Sequence, residues 1–334
     1  MMLKIIFFGT PQFAVASLEA LIADVGIDVV AVVTQPDKRR GRGKELSSSP
    51  VKVAGLAANI PILQPDRIKK DPDALAQLRV YEADFFVVVA YGQLLSQEIL
   101  DMPRIACING HGSLLPAYRG AAPIQQCLIN GESQTGMTTM LMDIGMDTGA
   151  MLLKEIIDIN LLENAYELAD RLSTISASLL LETLPRLANG ELQPEIQDNE
   201  SATYAPLIKK EDYVLDWSKS TVALHNQIRG LYPGCSTTFR NASLKVIATI
   251  PLINETRSQL LPEFQSLYDA IESLQIQSSG TSGTIVAVIK NRGAIVQTGD
   301  GYLFLREVQL AGKKIQSGWD FANGSRVSIG EQLI

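Results

Sequence analysis

The stretch R104-IACINGHGSLLPAYRGAAP-I124 opens with a short apolar run, Ile105 to Ile108, delivers Asn109 and His111 two positions apart, and then breaks into a loop punctuated by Gly and Pro. An apolar run of this length bounded by turn residues predicts a buried strand. In extended backbone, residues two apart face the same side, so Asn109 and His111 point into one space. Asn carries both a donor and an acceptor, and His changes protonation state near neutral pH. Taken alone, such a pair caps a loop more often than it catalyses. What surrounds it decides.

Upstream, Leu3–Phe8 reads as a buried strand, Gly9-Thr10-Pro11 as a turn and Phe13–Ala23 as a helix. Asp28–Thr34 (DVVAVVT) reads as a second apolar strand. Strand–helix–strand with apolar strands is the pattern of a parallel sheet covered by helices. Helices over 51–58 and 71–80 and a strong strand over 84–90 (DFFVVVA) continue it, so Asn109 and His111 lie at the carboxyl edge of the sheet, where ligands bind in open α/β folds. Strands are expected over 136–142 and 150–159. Between them runs DIGMDTGAM, whose Gly spacing allows close backbone approach and whose Asp147 could orient His111. The first turn, GTPQFA, has one glycine and is not a dinucleotide fingerprint.

A helix over 164–188 ends at Asn189-Gly190. Residues 190–206 (GELQPEIQDNESATYAP) are polar and contain Pro, so they read as a linker between a first domain of residues 1–189 and a second of residues 207–334. A helix over 218–229, carrying His225 as a structural residue, precedes short strands over 236–240, 244–250, 283–290, 294–298 and 303–309, the pattern of a small β-barrel. Residues 252–282 interrupt it as a loop insertion holding one helix. The fold class is therefore α/β: a Rossmann-like, mostly parallel sheet with helices on both faces, followed by a small OB-like β-barrel.

The 334 residues, 46% hydrophobic and 19% charged, contain no apolar run of about 18 residues, so no membrane span is expected. The three cysteines are scattered without a CxxC pair, which indicates neither a disulfide framework nor a metal site and favours the cytoplasm. A net charge of −7 argues against a general nucleic-acid binder. The charge is uneven, however: from Ala205 onward there are 13 Lys and Arg against 11 Asp and Glu, and in the rest 16 against 25. Within the acidic part, QPDKRRGRGKEL carries Lys38, Arg39, Arg40, Arg42 and Lys44 in a loop with no apolar anchor. A basic loop on the ligand edge of an acidic body points to a polyanionic substrate.

Asn109-x-His111-x-Ser113-Leu114-Leu115-Pro116, followed by Arg119-Gly120-Ala121-Ala122-Pro123-Ile124 and by Asp143-Ile-Gly-Met-Asp147-Thr-Gly, resembles the formyltransferases that use 10-formyltetrahydrofolate. The GTPQFA turn and the basic loop extend the resemblance over the first domain. It implies that Asn109, His111 and Asp147 are catalytic. It also implies that Ser113, Leu114, Leu115 and Pro116 with Val89, Tyr91, Gly92 and Leu94 line the folate pocket. The formyl donor is 10-formyltetrahydrofolate, with no metal. The basic loop, Arg42 above all, would enter the acceptor end of initiator methionyl-tRNA, and the second domain would contact the tRNA body, the enzyme acting as a monomer. Glycinamide ribonucleotide or an amino-sugar nucleotide are the alternative acceptors, and a non-catalytic RNA-binding role is the alternative from another class. Two departures stand out: Gly110, where the family more usually has Val or Ile, and LYPGC at 231–235 in place of a Trp-containing NPWPG pattern.

Overall fold

In the computed structural model, which describes residues 2–40, 45–258, 260, 262–273 and 281–334, the chain forms two compact units. One comprises 1–123, 134–157 and 169–205, and the other 124–133, 158–168 and 206–334.

The first unit is built on seven strands: β1 (Leu3–Gly9), β2 (Ile27–Val33), β3 (Ile62–Leu63), β4 (Phe85–Val89), β5 (Ala106–His111), β6 (Gln134–Leu141) and β7 (Met151–Asp158). They lie in the order β7-β6-β5-β4-β1-β2-β3. Pairings from β5 through β4, β1 and β2 to β3 are parallel, and β5 with β6 is antiparallel. Alternation along β1 decides the two faces. Ile5 and Phe7 enter one apolar cluster with Leu18, Leu21, Leu180 and Leu184 from helices, and Ile6 and Phe8 enter another with Leu75, Leu78 and Ile99. Each fully buried side chain of this size contributes about 1.5–3 kcal/mol by leaving water.

The helices start where the sequence supplies caps. Ser49 Oγ accepts the Lys52 amide ahead of Pro50–Ala57, and Asp71 accepts the Ala74 amide ahead of Pro72–Val80. Each helix has Pro in its first turn, where no donor is lost.

Three regions differ from the sequence reading. Lys38–Arg40 and Glu45–Ser47 pair as a short antiparallel hairpin instead of an open loop. Its base is pinned because Asp37 accepts from Lys52 Nζ at 2.7 Å and from Gln64 Nε2 at 2.8 Å. Those two hydrogen bonds hold the Asp37 carboxyl below its usual pKa. Residues 190–206 are not a free tether: Leu192, Gln197 and Ala205 are buried, Glu195 bridges to Met151, and Tyr204–Ala205 pairs in parallel with Arg119–Gly120. Segment 252–282 carries two helices among its described residues, Asn254–Arg257 and Pro262–Ser273.

The second unit is an antiparallel sheet of β8 (Ser236–Phe239), β9 (Ala242–Leu252), β10 (Ile285–Ile289), β11 (Gly293–Gln297), β12 (Tyr302–Leu310) and β13 (Gln316–Ser317). It runs β8-β9-β12-β11-β10, with β13 on β12. The last residues join its ends: Ile334 exchanges both main-chain hydrogen bonds with Thr238 beside β8, while Leu333 donates to Gly283 and Glu331 accepts from Ile285 beside β10. The carboxyl-terminal tail thus bridges the two edge strands of the sheet, β8 and β10, by isolated main-chain pairs. Ile124–Ser133 and Asp158–Leu168, which the sequence reading puts in the first domain, belong to this unit. His225 Nε2 meets Leu161 O at 2.9 Å and Arg229 Nη1 donates to Asn160 O at 2.9 Å.

Candidate active site

The carboxyl end of β5 carries Asn109 and His111 as its alternation predicts, and the β6–β7 connection brings Asp147 to them. Asn109 Nδ2 donates to Asp147 Oδ1 over 3.4 Å, and His111 Nδ1 lies 3.7 Å from Asp147 Oδ2. His111 is buried, whereas the Asp147 side chain keeps 18% exposure, so the pair faces an opening. Asp147 holds its backbone in the left-handed region (φ +56°), and its Oδ2 accepts the Gly120 amide at 2.8 Å.

The proton on His111 is placed by a group that no side-chain pattern reveals. Nε2 lies 3.0 Å from the carbonyl oxygen of Tyr118. A carbonyl only accepts, so Nε2 carries a hydrogen, and Nδ1 is the nitrogen that faces Asp147. Tyr118, itself at φ +61°, therefore holds the ring at Nε2, while Asp147, expected from the sequence to orient His111, faces Nδ1. Proton uptake at Nδ1 would place an imidazolium beside a carboxylate, an arrangement suited to general acid–base work. The free hydrogen of the Asn109 amide is a donor for a developing oxyanion.

Of the remaining expected residues, Ser113 is fully buried and donates to Ala117 O at 2.6 Å. Leu115, also buried, is joined to Pro116 by a cis bond, and its amide donates to Thr138 Oγ1. These contacts shape the loop around the site. Val89 and Tyr91 do not offer side chains to a pocket. Val89 belongs to one apolar cluster, and Tyr91 packs edge-on against Phe8 in the other, with burial raising its hydroxyl pKa. Only their main chain can line a ligand site. Gly92, at φ +85°, makes the turn that follows, and Leu94 projects at 66% exposure. Beside this turn is a cavity of about 390 Å³ lined by Arg67, Lys69, Lys70, Gln93 and Leu94. Gln93 ties its two walls together, accepting from the Ile68 amide and donating to Pro65 O.

Lys38 is exposed in the basic hairpin, whose strand also contains Arg39 and Arg40; Arg42 and Lys44 lie outside the described residues. Among the described residues no three His, Cys, Asp or Glu side chains gather as a metal-ligand group, and no helix is long and apolar enough to cross a membrane.

An open α/β sheet with Asn, His and Asp converging at one strand end is a site suited to acyl transfer. The chain belongs to the formyl transferase family: residues 3–184 match the formyl transferase model and residues 207–326 that of the formyl transferase C-terminal domain. It is 58% identical to the methionyl-tRNA formyltransferase of Trichormus variabilis over 331 residues, covering 99% of both chains. Its identity to the enzyme of that name from Synechocystis is 53%, covering 98% of this chain and 99% of that one. Among solved structures, a sugar 3N-formyl transferase with dTDP and 5-N-formyl-THF shares the fold with a TM-score of 0.62 at 20% identity, covering 94% of this chain and 100% of that one. An N-formyltransferase from Helicobacter canadensis superposes with a TM-score of 0.60 at 17% identity over the same shares.

Proposed function

We propose that this chain transfers the formyl group of 10-formyltetrahydrofolate to the α-amine of initiator methionyl-tRNA, giving N-formylmethionyl-tRNA for translation initiation. The observation that carries this reading is full-length identity above 50% to enzymes of that name, and the convergence of Asn109, His111 and Asp147 supports it.

In this reading the amine nitrogen attacks the formyl carbon and the carbonyl oxygen becomes an oxyanion. Asn109 Nδ2 donates to that oxygen. His111 Nδ1, with its partner nitrogen already held by Tyr118, takes the proton released from the amine, and Asp147 stabilises the resulting cation. Collapse breaks the bond from the formyl carbon to N10, and the proton passes to N10 of the leaving tetrahydrofolate. Ser113 to Pro116 and the main chain at Val89 to Leu94 line the folate. Arg67, Lys69 and Lys70 beside Leu94 suit the carboxylates of its glutamyl part.

Residues 1–189 act as the catalytic domain, with Lys38, Arg39, Arg40, Arg42 and Lys44 meeting tRNA phosphates, and residues 207–334 contact the tRNA body. In this reading the chain works as a cytoplasmic monomer. The test is incubation with 10-formyltetrahydrofolate and charged initiator methionyl-tRNA, with glycinamide ribonucleotide and an amino-sugar nucleotide as competing acceptors. Formylmethionine on the tRNA alone is expected. Formylation of either competitor in preference overturns the assignment.

A further inference from the structure

We propose that Gln197 and Arg119 are positioning residues for Asp147, fixing the main chain of the DIGMDTG loop so that its carboxylate stays on Gly120 and within reach of Asn109 and His111. The inference rests on the assignment of Asp147 to the reacting group above.

Gln197 is 4% exposed, and its Nε2 donates to two carbonyls of that loop, Asp147 O at 2.8 Å and Gly149 O at 2.7 Å. One amide nitrogen thus spans the residue that carries the carboxylate and the glycine two positions on. The amide can do this in one orientation only, and that orientation is set from the other side. Its Oε1 accepts from Arg119 Nε at 2.9 Å.

Arg119 is itself 2% exposed. Its Nη1 donates to Asn199 Oδ1 at 2.9 Å, and its Nη2 is buried without a hydrogen-bond partner. The two side chains it meets by hydrogen bond are neutral amides. Burying a guanidinium without a carboxylate partner is costly, and a hydrocarbon of similar volume would fill the space without that penalty. What the guanidinium supplies is a rigid planar donor that no hydrocarbon provides.

The loop needs such restraint. Asp147 is a non-glycine residue at φ +56°, a conformation that persists only where neighbours over-determine it. Three consecutive residues supply the restraint: Tyr118 O holds His111, Arg119 holds Gln197 and through it the main chain of Asp147, and the Gly120 amide holds the Asp147 carboxylate. They are anchored in turn to the segment that carries Gln197. The Tyr118 amide donates to Thr203 Oγ1, the Arg119 amide donates to Thr203 O, and Tyr204–Ala205 pairs with Arg119–Gly120.

Gln197→Glu separates this role from a purely structural one. A glutamate still accepts from Arg119, now as an ion pair, yet turns an oxygen toward the two carbonyls that Nε2 served. If Gln197 only satisfies a buried arginine, the glutamate variant is at least as active as the native enzyme. If it positions Asp147, kcat falls about 10²-fold while KM for 10-formyltetrahydrofolate and for methionyl-tRNA stays within about twofold, with thermal stability retained. Activity is expressed per folded enzyme. Arg119→Lys, which keeps the charge but loses the planar fork, carries the same test where a Gln197 variant does not fold. Native kcat in Gln197→Glu, or a loss confined to KM, overturns the proposal. Asp147→Asn is assayed in parallel. If it is inactive while Gln197→Glu is native-like, only the positioning role fails; if it is fully active, the assignment of Asp147 fails and the proposal falls with it.

Discussion

A Cβ built on Gly110 would stand 3.0 Å from Ser176 Oγ, the closest approach in the wall behind Asn109 and His111; Val89 Cγ2 and Leu180 Cδ1 would follow at 3.5 and 3.7 Å. Gly110 is therefore matched to the helix Ala165–Ala188, where Ser176 Oγ accepts from Ser17 Oγ at 3.1 Å. This close approach accounts for a glycine between the two site residues. Gly110→Ala should cost about 1–3 kcal/mol by overpacking, with part of the loss appearing as lower kcat because the strained residue separates the two catalytic side chains. Removing the clashing atom with Ser176→Ala should recover part of that cost, leaving only ordinary van der Waals contacts around the new methyl group. A double-mutant cycle read by urea unfolding checks this: a coupling indistinguishable from zero would mean that Ser176 is not what excludes the side chain.

Asn109 donates one amide hydrogen toward Asp147, leaving the other for substrate. In the proposed reaction Asn109→Ala removes the oxyanion donor and should lower kcat about 10²–10³-fold. Because the side chain belongs to the strand end and not to the basic hairpin, the dissociation constant for methionyl-tRNA should stay close to the native value. Single-turnover formylation combined with a filter-binding titration separates the two quantities. Near-native turnover would remove Asn109 from the chemistry.

How far the site could be read from the chain depends on where each interaction originates. The continuous apolar runs of Ile5–Phe8 and Phe85–Val89 declare their strands because burial on both faces leaves no place there for polar residues. The Asn109–His111 spacing then fixes which way both side chains point. Tyr118 was invisible because its contribution is a carbonyl, which every residue has. Gln197 was invisible for a different reason: its partners lie 78, 50 and 48 positions away, and its neighbourhood has the polar, Pro-containing composition of a tether. The pairing of Lys38–Arg40 with Glu45–Ser47 escaped because no apolar alternation marks it; Asp37 beside it is held by Lys52 and Gln64.

The basic hairpin makes a prediction about salt. If Lys38, Arg39, Arg40, Arg42 and Lys44 neutralise tRNA phosphates, each cation replaced by alanine should weaken binding and reduce the slope of log K against log salt by about one. The effect should appear in KM for methionyl-tRNA with kcat largely kept, and KM for 10-formyltetrahydrofolate should not change. Titrations at a series of salt concentrations measure it. A slope that stays constant after Lys38→Ala and Arg39→Ala together would place the tRNA elsewhere.

His225 gives the second unit a pH dependence of its own. It is 2% exposed, its Nε2 meets Leu161 O at 2.9 Å and its Nδ1 meets Thr249 Oγ1 at 2.9 Å. Leu161 O can only accept, so Nε2 carries the hydrogen and Nδ1 accepts from the threonine hydroxyl: the neutral ring is satisfied on both sides. Burial pushes its pKa down from 6.5 to about 4, opposed by the Leu161 hydrogen bond and reinforced by the nearby Arg229 charge. Between those two values the unfolded chain binds a proton that the folded one does not, so stability rises with pH there and is lost as pH falls from about 6.5 toward 4. The full contribution is on the order of 3 kcal/mol. Gln in this position can donate to Leu161 O and accept from Thr249 without titrating. His225→Gln should therefore flatten the fall in unfolding free energy between about pH 6.5 and pH 4 relative to the native chain, while carboxylates contribute equally to both. Urea unfolding monitored by Trp217, which is buried in this unit with its indole donating to Thr237, reads the difference directly. Parallel pH curves for the two proteins would mean that His225 is not the group responsible.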